Sequence, residues 1–349
     1  MLRLIAILFT ASIWLHADAQ ELDRSVFIRL AASLVKIEAL SANGTLSLGT
    51  GVTIAPGRVA TNCHVTRNAV NITMLRGGLR WRVAGQIADV AHDICLLRAP
   101  RLDAIPAPRG DVAKLKLGQE VGAIGFEGGV AVQYRQGRIS AMHQHDGSHV
   151  LRSTTPFTSG ASGGGLFNRA GELVGLLTFR QRGTDGSYFS VPVNWIRDPI
   201  EDDEKYAPIA PLNSNSKAFW QHAVESLPYF MQANSLAVDQ KWVSLLQLTN
   251  RWSTAETNSS EPWILQARAY DGLARPDDAV RCFEEALKRD PNSGEAWFGI
   301  GHIYANHGDE AQLQRAQENL IRLNPDLAAE FIKQQTNKTL RPNHIKSQS

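Results

Sequence analysis

Charge of one sign is what this sequence lacks. Its 349 residues hold 36 Lys and Arg against 34 Asp and Glu, a net charge of +2. So even a balance supplies no field to steer a polyanion, which excludes a nucleic-acid-binding role. Cysteine is scarce as well, at three residues. Cys63, Cys95 and Cys282 allow at most one intramolecular bridge, and their spacings resemble no zinc site. Long apolar runs are missing after the first twenty residues, so no later segment is expected to cross a membrane. No Gly-Lys-Ser/Thr follows the one glycine cluster, which argues against a phosphate-cradling loop.

What is present begins with MLRLIAILFTASIWLHADAQ. Arg3, an apolar run from Leu4 to Leu15, and the small-x-small Ala17-Asp18-Ala19 read as a signal peptide over residues 1–19. The run falls short of the ~20 residues a membrane span needs, which disfavours an uncleaved anchor. Export to a bacterial periplasm or the medium is expected. With 43% hydrophobic and 20% charged residues the rest is globular, and its length suggests two domains.

Residues 26–197 read as many short strands, such as 70-VNITML-75, 120-EVGAIGF-126 and 173-LVGLLTF-179, each bounded by turn residues. An all-β barrel or sandwich is expected over 20–197. Residues 198–217 have three prolines, an acidic cluster and small polar residues, the chemistry of a linker. Then the period becomes helical. 263-WILQARAYDGLARPDDAVRCFEEALKRDPN-292 and 297-WFGIGHIYANHGDEAQLQRAQENLIRLNPD-326 align at an offset of 34, matching Trp263 to Trp297, Tyr270 to Tyr304 and Pro291 to Pro325. That is the tetratricopeptide (TPR) pattern, with Ala267 and Gly301 at the small position and Ala279, Phe283 and Ala286 packing from the second helix. In the second copy Leu313 and Gln317 replace the expected Ala and Phe. A degenerate earlier copy is expected at about 226–259, giving an all-α repeat domain over 218–334 that binds a protein partner. Residues 335–349 are expected to be a flexible tail.

The stretch 158-TSGASGGGLF-167 surrounds Ser162 with four glycines. By itself it reads as a plain glycine-rich turn. A serine hydroxyl becomes a nucleophile only beside a base, commonly a histidine oriented by a carboxylate. His64 in 61-TNCHV-65 and Asp93 in 92-HDICLL-97 supply both. Asp89 competes for the carboxylate role, but Asp93 directly precedes the apolar run Ile94 to Leu97. His143, His145 and His149 raise a metal site; no other ligand cluster accompanies them, so no metal is expected and a solvated hairpin loop is.

The order His64, Asp93, Ser162, with 51-GVTIAPGRVATNCHV-65, 93-DICLLR-98, 121-VGAIGF-126, 137-GRIS-140 and 160-GASGGGLFNRAGELVGLL-177, resembles the trypsin-like serine peptidases of the HtrA/Deg branch. The resemblance implies two six-stranded β-barrels with the site between them. It implies Ser162 as nucleophile, His64 as general base and Asp93 as its orienting partner. The oxyanion hole falls to the N–H groups of Gly160 and Ser162, near Ala161, and no cofactor is implied. Pro156, Thr178, Phe179 and Ser190 fall at the specificity pocket. With no carboxylate there, small or medium aliphatic side chains are expected and basic ones not. Where the family commonly has Asn or Asp, this chain has Ala161. Gly163-Gly164-Gly165 replaces Gly-Gly-Pro, and helical repeats replace a PDZ domain. A triad would draw Cys63 and Cys95 together, as a bridge or as two buried thiols; the bridge is expected. The reading is a serine endopeptidase acting on protein or peptide substrates. A silent protease-like scaffold and an esterase on the same triad are its rivals.

Overall fold

The structure, a computed structural model, describes residues 24–181, 187–196 and 202–339. The signal-peptide reading of 1–19 lies outside the described residues, as do 340–349. Among the described residues no helix is long and apolar enough to cross a membrane.

After a short helix α1 (Arg24–Ala31), seven antiparallel strands form the first β unit: β1 (Leu34–Ser41), β2 (Leu46–Ala55), β3 (Arg58–Thr61), β4 (Ala69–Arg76), β5 (Leu79–Arg82), β6 (Gly85–Asp89) and β7 (Ile94–Arg98). Their order is β5-β4-β1-β2-β3-β7-β6, seven strands where six were expected. Alternation decides which face is inside: in β1, Val35, Ile37 and Ala39 point into a core shared with Val59, Ile72, Met74 and Leu97. The second unit is a closed six-stranded barrel, β10-β13-β12-β11-β8-β9. Its strands are β8 (Glu120–Glu127), β9 (Ala131–His145), β10 (Ser148–Ser153), β11 (Gly165–Asn168), β12 (Leu173–Gln181) and β13 (Ser187–Pro192). β12 is buried along both faces from Leu173 to Phe179, and so reads as a continuous apolar run.

Seven helices follow: α3 (Tyr229–Val238), α4 (Trp242–Ala255), α5 (Glu261–Gly272), α6 (Pro276–Arg289), α7 (Gly294–His307), α8 (Glu310–Leu323) and α9 (Pro325–Thr339); a one-turn α2 (Cys63–Thr66) lies earlier, between β3 and β4. The pairs α5/α6 and α7/α8 are the two repeats. Ala267, Ala279, Phe283, Ala286 and Ile300 share one core with Trp263 and Trp297. Ser293 and Asp309 cap α7 and α8 by accepting from Ala296 N and Gln312 N. α3 and α4 occupy the stretch expected to hold a degenerate copy. α9 runs four residues past 335, into the expected tail, because Phe331 is fully buried and holds it down.

Two parts differ from what composition suggested. First, residues 202–217 are strapped along the first β unit. Asp203 pairs with Arg58 and Arg98, Ala207 bridges Gln86, and Leu212 N donates to the carbonyl of Arg67. Linker composition describes solubility, whereas these contacts depend on partners more than a hundred residues away. Second, His143, His145 and His149 are not in a solvated loop. They lie on β9 and β10, roofed by the first helices: His143 stacks on Phe230 at 4.5 Å and pairs with Glu261. Burial pushes the His145 and His149 imidazoles below their ordinary pKa. No group of metal-ligating residues occurs among the described residues.

Candidate active site

Asp93 opens β7 from a left-handed backbone, φ 59°, which aspartate tolerates better than most residues. That turn aims the whole residue back at α2. Its carbonyl accepts from Cys63 N at 3.3 Å and Asn62 Nδ2 at 3.0 Å. Its carboxylate accepts from His64 N at 2.8 Å through Oδ1 and meets His64 Nδ1 at 2.6 Å through Oδ2. A carboxylate oxygen only accepts, so Nδ1 is the donor of this contact. The other ring nitrogen, Nε2, is thereby turned away from Asp93. Asp89 is engaged elsewhere, holding His92 Nδ1 at 2.7 Å. Cys63 and Cys95 are joined by a disulfide with Cα atoms 4.8 Å apart, which ties α2 to β7 beside the pair. Cys282 is a free, buried thiol on α6, pushed up to about 11 by burial.

Ser162 is pinned between the two β units. Its carbonyl accepts from Thr50 N at 2.8 Å, while Gly163 N donates to Leu177 O at 2.8 Å. Thr50 is a hub that no motif singles out. Its hydroxyl donates to Gly160 O at 2.7 Å and accepts from Phe126 N at 2.8 Å. Its own carbonyl takes the Thr61 hydroxyl at 2.7 Å, three residues before His64. The glycines answer to packing rather than to substrate access. A Cβ on Gly160, at φ 94°, would lie 2.4 Å from Phe126 O; one on Gly163, at φ 81°, would lie 2.2 Å from Thr50 O and Thr61 Oγ1. The Ser159 carbonyl accepts from Gly128 N at 2.7 Å. A planar trans peptide then turns the Gly160 N–H to the opposite side. Among the described residues, neither Gly160 N nor Ser162 N donates to a protein acceptor.

The residues expected at the specificity pocket separate. Pro156 is exposed. Thr178 is buried and employed: its hydroxyl donates to Leu176 O and accepts from Asn62 Nδ2 at 3.1 Å, which braces the segment carrying His64. Asn62 stands at the N-cap of α2 without capping it: its Nδ2 donates to Asp93 O and Thr178 Oγ1, while its Oδ1 meets no donor among the described residues. Phe179 is sandwiched between Phe189, at 4.8 Å, and Trp220, at 4.9 Å. Ser190 is fully buried, its hydroxyl without a partner among the described residues.

Next to the site, His92 bridges two carboxylates, Asp89 through Nδ1 and Asp146 through Nε2 at 2.6 Å, and lies on Trp195. The hydrogen bond that His92 donates to Asp89 raises its pKa most; burial opposes this, and Asp146 adds to it. His145 lies close enough to feel the His92 charge. A raised folded pKa means the stabilisation is complete below the unfolded value of about 6.5 and fades as pH rises through the folded one. His92→Gln is expected to lower the melting midpoint by about 2–4 °C more at pH 5.5 than at pH 8.5. Thermal melts of both proteins at the two pH values check this.

This pair and this glycine loop lie where the two antiparallel β units meet. Residues 49–176 match the trypsin-like peptidase domain family, and residues 264–326 match the tetratricopeptide repeat family. Among curated proteins the chain is 34% identical over 163 residues to a probable periplasmic serine endoprotease, DegP-like, of Pseudomonas fluorescens, covering 44% of this chain and 34% of that protein. It is 31% identical over 161 residues to a protein of the same description from Halomonas elongata, with the same coverage. The chain thus spans about a third of the length of these relatives. A solved protease of Mycobacterium tuberculosis in its active form is similar at TM-score 0.49 and 22% identity, covering 56% of this chain and 89% of that one.

Proposed function

We propose that the protein is a serine endopeptidase, with Ser162 as nucleophile, His64 as general base and then acid, and Asp93 as the group that fixes the histidine tautomer. The observation that carries this is the double grip of Asp93 on His64, through backbone N and ring Nδ1 at 2.8 and 2.6 Å. That grip leaves Nε2 free to take the serine proton. Gly160 N and Ser162 N receive the oxyanion of the tetrahedral intermediate. His64 then returns the proton to the leaving amine, and water repeats the cycle on the acyl-enzyme.

The relatives are described as periplasmic, and together with the signal-type N-terminus this supports export to the periplasm. The repeats recruit a protein, substrate or regulator. A cavity of about 1070 Å³ between the β9–β10 hairpin and the helices, lined by Met142, Arg152, Asn234, Arg268 and Arg322, offers room for an extended segment.

A fluorophosphonate probe tests the reading. Covalent labelling of wild-type protein is expected, with none in Ser162→Ala and peptide hydrolysis reduced at least about 10³-fold in that variant. Wild-type protein that never labels favours the silent scaffold instead.

A further inference from the structure

The His64–Asp93 pair has a third member that comes from neither β unit. Past the strap, the chain turns through Ala218, Phe219, Trp220 and Gln221 in a short 3-10 helix. The turn is anchored. Phe219 N donates to Ala91 O at 3.0 Å, two residues before Asp93. The Phe219 ring is buried among His145, Trp195 and Phe179, at 5.0, 5.9 and 6.0 Å. These contacts deliver Trp220 to the site. Its indole Nε1–H donates to Asp93 Oδ2 at 3.1 Å, the same oxygen that meets His64 Nδ1. Its ring stands edge-on to the His64 imidazole at 5.5 Å and 87°, and its face stacks on Phe179 at 4.9 Å and 13°.

We propose that Trp220 is a positioning residue for the His64–Asp93 pair, supplied by the segment that joins the peptidase domain to the helical repeats; this rests on the peptidase reading above. A carboxylate on a single side-chain bond can swing. Oδ1 is fixed by one donor, His64 N, so the direction of Oδ2 decides where Nδ1 points. The indole N–H fixes Oδ2 from a second side. The ring edge shields one side of the imidazole, and the stack on Phe179 keeps the indole from rotating away. Trp220 touches no reacting atom, so its effect runs through Asp93. Because only eight residues separate Trp220 from α3, the docking of the helices and the order of the catalytic pair share one tether.

Trp220→Phe tests this, since it keeps an aromatic ring to stack on Phe179 while removing the N–H together with the second ring of the indole. A hydrogen bond to a charged group of this kind is worth about a tenfold change in rate. The fluorophosphonate labelling rate and the kcat for a peptide are both expected to fall about tenfold, with KM unchanged within about twofold. Trp220→Ala is expected to fall at least as far. A labelled wild type with Trp220→Phe equal to it overturns this inference and leaves the peptidase reading standing. A Trp220→Ala variant that gains activity also overturns it, making the segment a plug over the cleft. A wild type that never labels overturns both readings. One measurement needs no variant: the Trp220 Nε1–H resonance is expected to exchange slowly and to shift when Ser162 is phosphonylated, and an unshifted resonance counts against the role.

Discussion

Asp93→Asn is expected to lower kcat on a peptide substrate by about 10⁴-fold while the protein stays folded. The size follows from the tautomer. Asn can still accept from His64 N through its oxygen, which takes the place of Oδ1. At the Oδ2 position it presents an NH₂, which cannot accept from Nδ1. His64 then moves its proton to Nε2 and can no longer take one from Ser162. Asn is the informative replacement because it also tolerates the left-handed backbone at φ 59°; alanine would add strain to the lost acceptor. Steady-state kinetics alongside a melting curve separate the two effects. A loss of less than about tenfold, with an intact fold, would remove Asp93 from the mechanism.

Removing the disulfide is expected to have the largest effect on stability. The bridge closes a loop of 32 residues. Constraining a loop of that length in the unfolded chain is worth about 3–4 kcal/mol. For a domain of this size that is a fall of about 10 °C in melting midpoint. The double variant Cys63→Ser with Cys95→Ser should show it in a thermal melt, and wild-type protein melted with excess reductant should match. The effect on catalysis is expected to be smaller. Asp93 holds residues 62–64 through four hydrogen bonds of its own, so the native geometry persists until the domain unfolds. Cys282 offers no replacement partner, since it lies on α6.

Several parts of this protein were written in local pattern. The strands showed as short apolar runs between turns, and the repeats as a 34-residue offset of Trp, Tyr and Pro. His64, Asp93 and Ser162 each stood in a short motif whose residues lie within a few positions of one another. Local motifs work for two of them because the constraint itself is local: Asp93 directly precedes a strand and His64 sits in one helical turn; the glycines at 160 and 163 are held by contacts with Phe126, Thr50 and Thr61, far along the chain.

Other parts were fixed only when distant segments met. Thr50 reaches Gly160 across 110 residues, and Trp220 reaches Asp93 across 127. Neither contact leaves a period, a cap or a spacing in the sequence. The resemblance places Thr178 and Phe179 at a substrate pocket; in the fold Thr178 also meets Asn62 and Phe179 stacks on Trp220. The strap after residue 201 has the composition of a free linker, yet Asp203 and Ala207 find partners on the first β unit. Sequence alone determined which segments would become strands or helices, because backbone preference and burial act over a few residues. Tertiary structure alone decided which donors and rings surround the candidate site, because hydrogen bonds and packing depend on distance in space and not along the chain.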